Sequence, residues 1–168
     1  MKKLILLAVI ITLLSCNLET PTQFSDKALN DSLITLDKSK ITFKEVINQY
    51  KGKKILIDIW ASWCADCIKG LPKIKELQKE FPEVIFLFLS VDKKETAWKK
   101  GIKRFRIEGE HYNLPKGMKK GDLVDFLNTS WIPRYIVLDK KGNIQLFKAI
   151  KASDRSIKVA LQKTNTSF

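Results

Sequence analysis

The ten residues DIWASWCADC, at positions 58–67, decide the fold of this chain. They begin inside an apolar, β-branched run, residues 55–60, that only Asp58 interrupts, as is typical of a central strand buried on both faces. From Ala65 to about Lys79, apolar residues recur every three positions, which predicts a helix with one buried face and a kink at Pro72. The two cysteines therefore lie where a buried strand gives way to a helix.

This placement of Cys64 and Cys67 predicts redox chemistry, because a C-x-x-C at the start of a helix favours it. Backbone N–H groups and the helix dipole stabilise an anion there, so we expect the pKa of the Cys64 thiol to be lowered and its thiolate to be the nucleophile. Attack on a substrate disulfide gives a mixed disulfide, which Cys67 cleaves by closing the 64–67 bridge.

Two other uses of this cysteine pair fit the sequence less well. Zinc normally needs four ligands, whereas the chain has a single histidine, His111, and no further cysteine near the pair. A purely structural disulfide across so short a loop stabilises a fold little by chain entropy. We therefore expect a redox-active disulfide, no metal and no bound cofactor.

The amino-terminal residues indicate a secretory signal. Met1, Lys2 and Lys3 form a positive start, and the apolar stretch 4–14 is shorter than the roughly 18 residues of a membrane-spanning helix. Residues 13–16, LLSC, resemble the bacterial lipobox, so we expect a signal peptide at 1–15 and a lipid on Cys16. The alternative is an ordinary signal peptide followed by a stray cysteine. Either places the protein outside the bacterial cytoplasm, in the cell envelope.

The remaining chain is long enough for one domain. Residues 16–31 are polar and suit a flexible tether, which leaves 32–168 for the domain. A second apolar run, 84–91, predicts another buried strand, and Trp98, Ile102 and Phe105 share one stripe of a following helix. Strand, helix, strand and helix in this order imply a parallel βαβ unit.

Shorter elements complete the pattern on both sides of this unit. A capping box at Thr42 predicts the start of a short helix. Residues 108–121 are expected to form a short strand and a loop, and residues 121–127 another short helix. Strands at 135–138 and 144–147 form a hairpin. Ser153 is the expected cap of a final helix.

At this point DIWASWCADC resembles the active-site segment of thioredoxins, and the lipobox points to their extracytoplasmic TlpA-like branch. The likeness extends from about Thr35 to Lys163, with Pro72 at the position of the family's helix proline and 131–133, WIP, at that of its cis-proline. The resemblance implies an α/β thioredoxin-like fold, with a central mixed β-sheet flanked by helices.

The resemblance also implies roles for residues around the cysteines. The Ile132–Pro133 bond is expected to be cis, with Pro133 facing the cysteine pair and the backbone of Ile132 pairing with extended substrate. A trans turn is the alternative. Asp58 is expected beneath the cysteines, where burial raises its pKa and it accepts or relays the proton of Cys67. Otherwise it is a strand-end carboxylate facing solvent.

Further substrate contacts are expected at the exposed residues of the motif, Trp63, Ala65 and Asp66. Asp66 departs from the family pattern, since most relatives carry proline before the second cysteine. A carboxylate near the Cys64 thiolate opposes its charge, which favours a reductant over a strong oxidant, although Lys69 can offset the effect.

The sequence thus predicts a monomeric thiol–disulfide oxidoreductase of protein-disulfide reductase type. Its partners are expected to be disulfide-containing envelope proteins, a membrane electron donor, and the lipid bilayer through Cys16. The net charge is +13, but the lysines are spread along the chain, so we expect no nucleic-acid site. The alternatives are a thiol-dependent peroxidase, whose Pro-x-x-x-Thr/Ser-x-x-Cys pattern is absent here, and a non-catalytic protein-binding lipoprotein.

Overall fold

The computed structural model describes residues 20–163 of the 168-residue chain. One seven-stranded sheet of order β2-β1-β5-β4-β3-β6-β7 carries the fold, with α-helices packed against it. The elements in chain order are α1 (Asp26–Leu29), β1 (Ser32–Ile34), β2 (Lys40–Thr42), α2 (Phe43–Gln49), β3 (Ile55–Trp60), α3 (Ala65–Glu80), β4 (Ile85–Ser90), α4 (Glu95–Phe105), β5 (Glu110–Asn113), a 3-10 helix (Gly117–Lys119), α5 (Asp122–Phe126), β6 (Arg134–Leu138), β7 (Ile144–Ala149) and α6 (Arg155–Gln162).

The sheet is mixed, as predicted. Strands β3, β4 and β5 run parallel, while β6 pairs antiparallel with β3 and again with β7. Strand β3 therefore has neighbours on both sides, and all six of its residues are buried. The predicted βαβ unit, the carboxyl-terminal hairpin and the α/β fold class are confirmed.

Helix α3 follows β3 and covers the sheet with one face. Leu71, Ile74 and Leu77 on that face are buried in the core, which confirms the predicted three-residue spacing. Pro72 lies inside the helix on its exposed side, and the helix continues past it to Glu80. The capping box predicted for α2 is also present, with Thr42 accepting the Glu45 N–H and Glu45 accepting the Thr42 N–H.

The structured domain begins earlier than the sequence predicted. Residues 20–31 were expected to belong to a tether, yet Phe24 is buried with its ring 4.9 Å from that of Phe43 and 5.3 Å from that of Phe126. The backbone N–H of Ile144, in β7, donates to the Thr22 carbonyl oxygen at 2.7 Å. A single aromatic residue within a polar stretch thus anchors the chain to the core, because burying its apolar surface is favourable.

The cap of α6 also differs from the prediction. Asp154, not Ser153, is the N-cap, and its carboxylate accepts the backbone N–H of Ser156 at 2.9 Å. Asp and Ser are comparably good caps, so the helix register decides between them. The core side of α6 is as expected, with Ile157, Ala160 and Leu161 buried.

Within residues 20–163, no helix combines the length and the apolar character that crossing a membrane requires. The predicted signal peptide and Cys16 lie outside the described residues.

Candidate active site

Cys64 and Cys67 form a disulfide at the amino-terminal end of α3. The S–S distance is 2.07 Å and the Cα atoms are 5.3 Å apart. The pair lies beyond the carboxyl end of β3, the position that the sequence predicted.

The surroundings of Cys64 suit it to be the reacting sulfur. Cys64 is the N-cap of α3, and the backbone N–H of Cys67 donates to its Sγ at 3.1 Å. The side chain is 6% exposed, compared with 1% for Cys67. When the disulfide is reduced, the same N–H and the helix amino terminus stabilise a thiolate on Cys64.

The Ile132–Pro133 segment lies against the disulfide. The peptide bond between these residues is cis, as the resemblance implied. The Ile132 carbonyl oxygen is 3.8 Å from Cys64 Sγ. Pro133 lines a groove together with Asp66 and the half-exposed Trp131. An extended chain can therefore meet the Ile132 backbone and Cys64 at the same time.

Asp58 is buried in the centre of β3, with 2% of its surface exposed. Neither carboxylate oxygen has a hydrogen-bond partner within the described residues. Burial without a partner raises the pKa of the Asp58 carboxyl well above its usual range. The solvent-facing alternative for this residue is wrong.

The pairing of β3 with β6 shows which face of the sheet Asp58 occupies. Asp58 is directly opposite Tyr135, and residues opposite each other point to the same face. The Tyr135 hydroxyl reaches α3, since a Cβ built on Gly70 would lie 2.9 Å from it. Asp58 therefore lies on the face that α3 covers, the helix that carries Cys67.

Exposed side chains surround the disulfide. Trp63, the residue before Cys64, is 61% exposed, whereas Trp60 is a core residue. Ala65 and Asp66 are also exposed. The Asp66 carboxylate pairs with the Lys69 ammonium at 3.4 Å, so its charge is partly offset.

The described residues hold no cluster of histidine, cysteine, aspartate or glutamate able to bind a metal ion. His111 is buried, stacks on Phe88 with ring centroids 5.2 Å apart, and bonds the Ile107 carbonyl oxygen through Nε2. It is a packing residue.

A family model described as thioredoxin-like matches residues 52–144, more than half of the chain. This chain belongs to the thioredoxin-like family. The thioredoxin-like protein YneN of Bacillus subtilis is 32% identical over 130 residues, covering 76% of this chain and 72% of that protein. The thiol-disulfide oxidoreductase ResA of Bacillus cereus is 26% identical over 125 residues, covering 73% and 67%.

Solved structures agree with these relatives. A crystal structure of a putative thiol-disulfide oxidoreductase from Bacteroides vulgatus superposes with a TM-score of 0.65 at 26% identity, covering 84% of this chain and 94% of that one. The relatives and the disulfide together make this thioredoxin-like protein a thiol–disulfide oxidoreductase.

The sequence did not reveal a polar network behind the active-site loop of this thioredoxin-like protein. Asp92 is buried and accepts hydrogen bonds from Ser62 N at 2.9 Å, Ser62 Oγ at 2.7 Å and Ser90 Oγ at 2.8 Å. Asp92 lies two residues beyond the end of β4, and parallel strands end at the same edge of a sheet. Its position after β4 could have predicted that Asp92 lies near Ser62, two residues before Cys64.

A second residue missed from the sequence is Arg134, which follows the cis-proline and is 2% exposed. Its guanidinium donates to the carbonyl oxygens of Leu127 and Asn128 at 3.0 and 3.3 Å. These bonds fix the ends of the loop that carries Trp131 and Ile132. The Arg134 side chain thereby helps to hold the backbone of Ile132 next to Cys64.

Proposed function

We propose that this protein reduces disulfides of envelope proteins by a mixed-disulfide mechanism. The observation that carries the proposal is the Cys64–Cys67 disulfide at the start of α3, with the Cys67 N–H directed at Cys64 Sγ. The groups around Cys64 can stabilise a thiolate, and the Ile132 backbone is close enough to hold a substrate chain.

The reaction begins with the reduced protein. The Cys64 thiolate attacks one sulfur of a substrate disulfide, so a Cys64–substrate disulfide forms and the substrate bond breaks. The leaving thiolate takes a proton and becomes the first substrate thiol. Trp63, Ala65, Asp66 and the Ile132 backbone contact the substrate, and Pro133 shapes the surface on which it lies.

Cys67 then resolves the intermediate. Its sulfur attacks Cys64 Sγ, which closes the 64–67 disulfide, breaks the Cys64–substrate bond and releases the second substrate thiolate, which takes a proton and becomes a thiol. When the Asp58 carboxyl is ionised it accepts the proton leaving Cys67, and its raised pKa makes that carboxylate a stronger base than an exposed aspartate. The protein has given two electrons, and a membrane-bound dithiol donor restores them by reducing the 64–67 disulfide.

The reducing direction and the location are supported by the sequence. Asp66 places a carboxylate beside the reacting sulfur, and its pairing with Lys69 leaves both charges largely solvated. We expect the Asp66 carboxylate still to disfavour the anionic, reduced form, although less strongly than an unpaired carboxylate does, and so to favour the reducing direction. The signal peptide expected at residues 1–15 and the lipid expected on Cys16 support a reaction at the outer side of a bacterial membrane.

Trapping of the mixed disulfide tests the proposal. Cys67→Ala should leave the Cys64–substrate bond unresolved, so a species sensitive to dithiothreitol accumulates with disulfide-containing proteins. The double variant Cys64→Ser, Cys67→Ala is the matched control and should trap nothing. Absence of any trapped species at every redox poise would instead favour the non-catalytic binding protein.

The direction of transfer has its own measurement. The reduction potential of the 64/67 pair, equilibrated against glutathione or dithiothreitol and followed by tryptophan fluorescence, should be about −230 mV or lower. A value near −120 mV would identify an oxidant and overturn the reducing role.

A further inference from the structure

A groove beside Trp63 combines an apolar floor with a dense set of lysines. Its volume is about 580 Å³, and we call it the lysine groove. Trp63, Val91, Ala97 and Met118 contribute its apolar surface, and Lys93, Lys94, Lys116, Lys119 and Lys120 contribute its charge.

The two walls of the lysine groove are held together by hydrogen bonds. One wall follows β4 and enters α4, and the other is the segment around the 3-10 helix Gly117–Lys119. The Leu114 N–H donates to the Ser90 carbonyl oxygen at 2.8 Å, and the Asn113 amide donates to the Asp92 carbonyl oxygen at 2.9 Å. These bonds hold the two walls together where the segments leave the sheet.

The lysine groove lacks counter-charges of its own. Of its five lysines only Lys116 forms a salt bridge within residues 20–163, to Asp31 at 3.5 Å. The single acidic residue of the lining, Asp92, is 1% exposed and occupied by Ser62 and Ser90. Like charges held this close create a positive potential that an anionic partner relieves.

The opposite side of the active site is different. There, Lys69 pairs with Asp66 at 3.4 Å and Lys73 pairs with Glu76 at 2.6 Å. The third lysine of that side, Lys151, has no salt bridge among the described residues, whereas the lysine groove has four such lysines. More unpaired positive charge therefore lies on the Trp63 side. This asymmetry distinguishes the lysine groove from the generally basic surface of the protein.

We propose that the lysine groove binds an acidic segment of the substrate protein next to its reacting cysteine. This inference rests on the proposed function and names the chemistry of its substrates. Trp63 lines the groove and immediately precedes Cys64, so a chain that presents its sulfur to Cys64 is within reach of the lysines. The apolar floor favours a peptide carrying an apolar side chain over a bare anionic surface.

Peptide disulfides of matched sequence test the inference. Three peptides share one disulfide and one apolar residue and carry three flanking Glu, Gln or Lys residues. Their rates of reduction are measured by tryptophan fluorescence with the full chain carrying Cys16→Ser, at low ionic strength and in 0.5 M salt. The Glu peptide should react about tenfold faster than the Gln peptide at low ionic strength, and salt should reduce the ratio.

Two quadruple variants of equal net charge separate the groove from overall charge. The groove variant changes Lys93, Lys94, Lys119 and Lys120 to Gln, which retains much of each side chain's apolar stem. The control variant changes four exposed lysines on other elements to Gln: Lys44, Lys51, Lys75 and Lys148.

The Glu-to-Gln rate ratio should fall to about two or less in the groove variant and remain above about five in the control. Equal losses in both variants would show that only net charge matters and would overturn the inference. So would an unchanged ratio combined with loss of binding to anionic phosphatidylglycerol vesicles, since the lysines would then serve a lipid surface. If wild type reduces none of the peptides, the proposed function itself fails, whereas equal rates for all three peptides reject the groove alone.

Discussion

Asp58 connects the redox site to the stability of the whole fold. Because its pKa in the folded protein is raised, the folded chain keeps a proton that the unfolded chain loses above about pH 3.9. Its stabilising contribution is therefore complete at acid pH. It declines as the pH rises through the window between the unfolded value and the raised one.

Asp58→Asn removes this titration. The free energy of unfolding of the variant, minus that of wild type, should increase with pH by up to about 1.4 kcal/mol per unit across that window. Urea denaturation of the oxidised protein between pH 4 and 9 measures the difference. Asp122→Asn, at an exposed carboxylate, is the matched control. Identical pH profiles for the two variants would show that the burial of Asp58 has no such consequence.

At the scale of single residues, the sequence predicts features that depend on a short stretch of chain, but not contacts between distant residues. The cysteine pair, the burial of Asp58 and the cis bond before Pro133 follow from short motifs, and the structure confirms these three. The Ser62–Asp92 contact joins residues that are 30 positions apart. Nothing in either segment alone indicates it, because the contact depends on how β3 and β4 align.

Elements are predictable where one periodicity extends over many residues. The long helix α3 and the buried strands β3 and β4 were expected close to their observed bounds. The hairpin of β1 and β2 was not expected, because each strand has three residues and tertiary pairing, not a repeating pattern, determines it.

The cap of α6 gives a test at the level of an element. Asp154→Ala should reduce the free energy of unfolding by about 1 kcal/mol, because the Ser156 N–H loses its acceptor. Ser153→Ala, at the residue favoured from sequence, should change it by less than about 0.5 kcal/mol. Urea unfolding curves of the two variants at pH 7 make the comparison. A larger effect for Ser153→Ala would show that Ser153, and not Asp154, is the N-cap of α6.

The boundary of the domain is a property of the whole molecule. Phe24 packs against rings from α2 and α5, so residues that look like a linker in the sequence help close the core. A polar segment with one aromatic residue does not reveal this, because the partners of that residue are distant in the chain.

Phe24→Ala should therefore destabilise the protein by about 3 kcal/mol through lost burial and the cavity left behind. Leu36→Ala, at a residue that is 46% exposed, should cost less than about 0.5 kcal/mol. Denaturant unfolding measured by circular dichroism distinguishes them. Similarly small losses of stability in the two variants would show that residues 20–31 belong to the tether, as the sequence predicted.

The hydrogen bond between Thr22 and Ile144 also shows at which end of the sheet the described chain enters the domain. Ile144 lies opposite Leu138, and Leu138 lies opposite Ile55, the first residue of β3. The chain thus enters the domain at the end of the sheet remote from Cys64, about 20 Å away along a six-residue strand. A domain held at a membrane by this end points its disulfide outward, toward proteins in the surrounding compartment. The proposed membrane-bound donor would then have to extend its own thiols by a similar distance, or the domain would have to tilt to meet it.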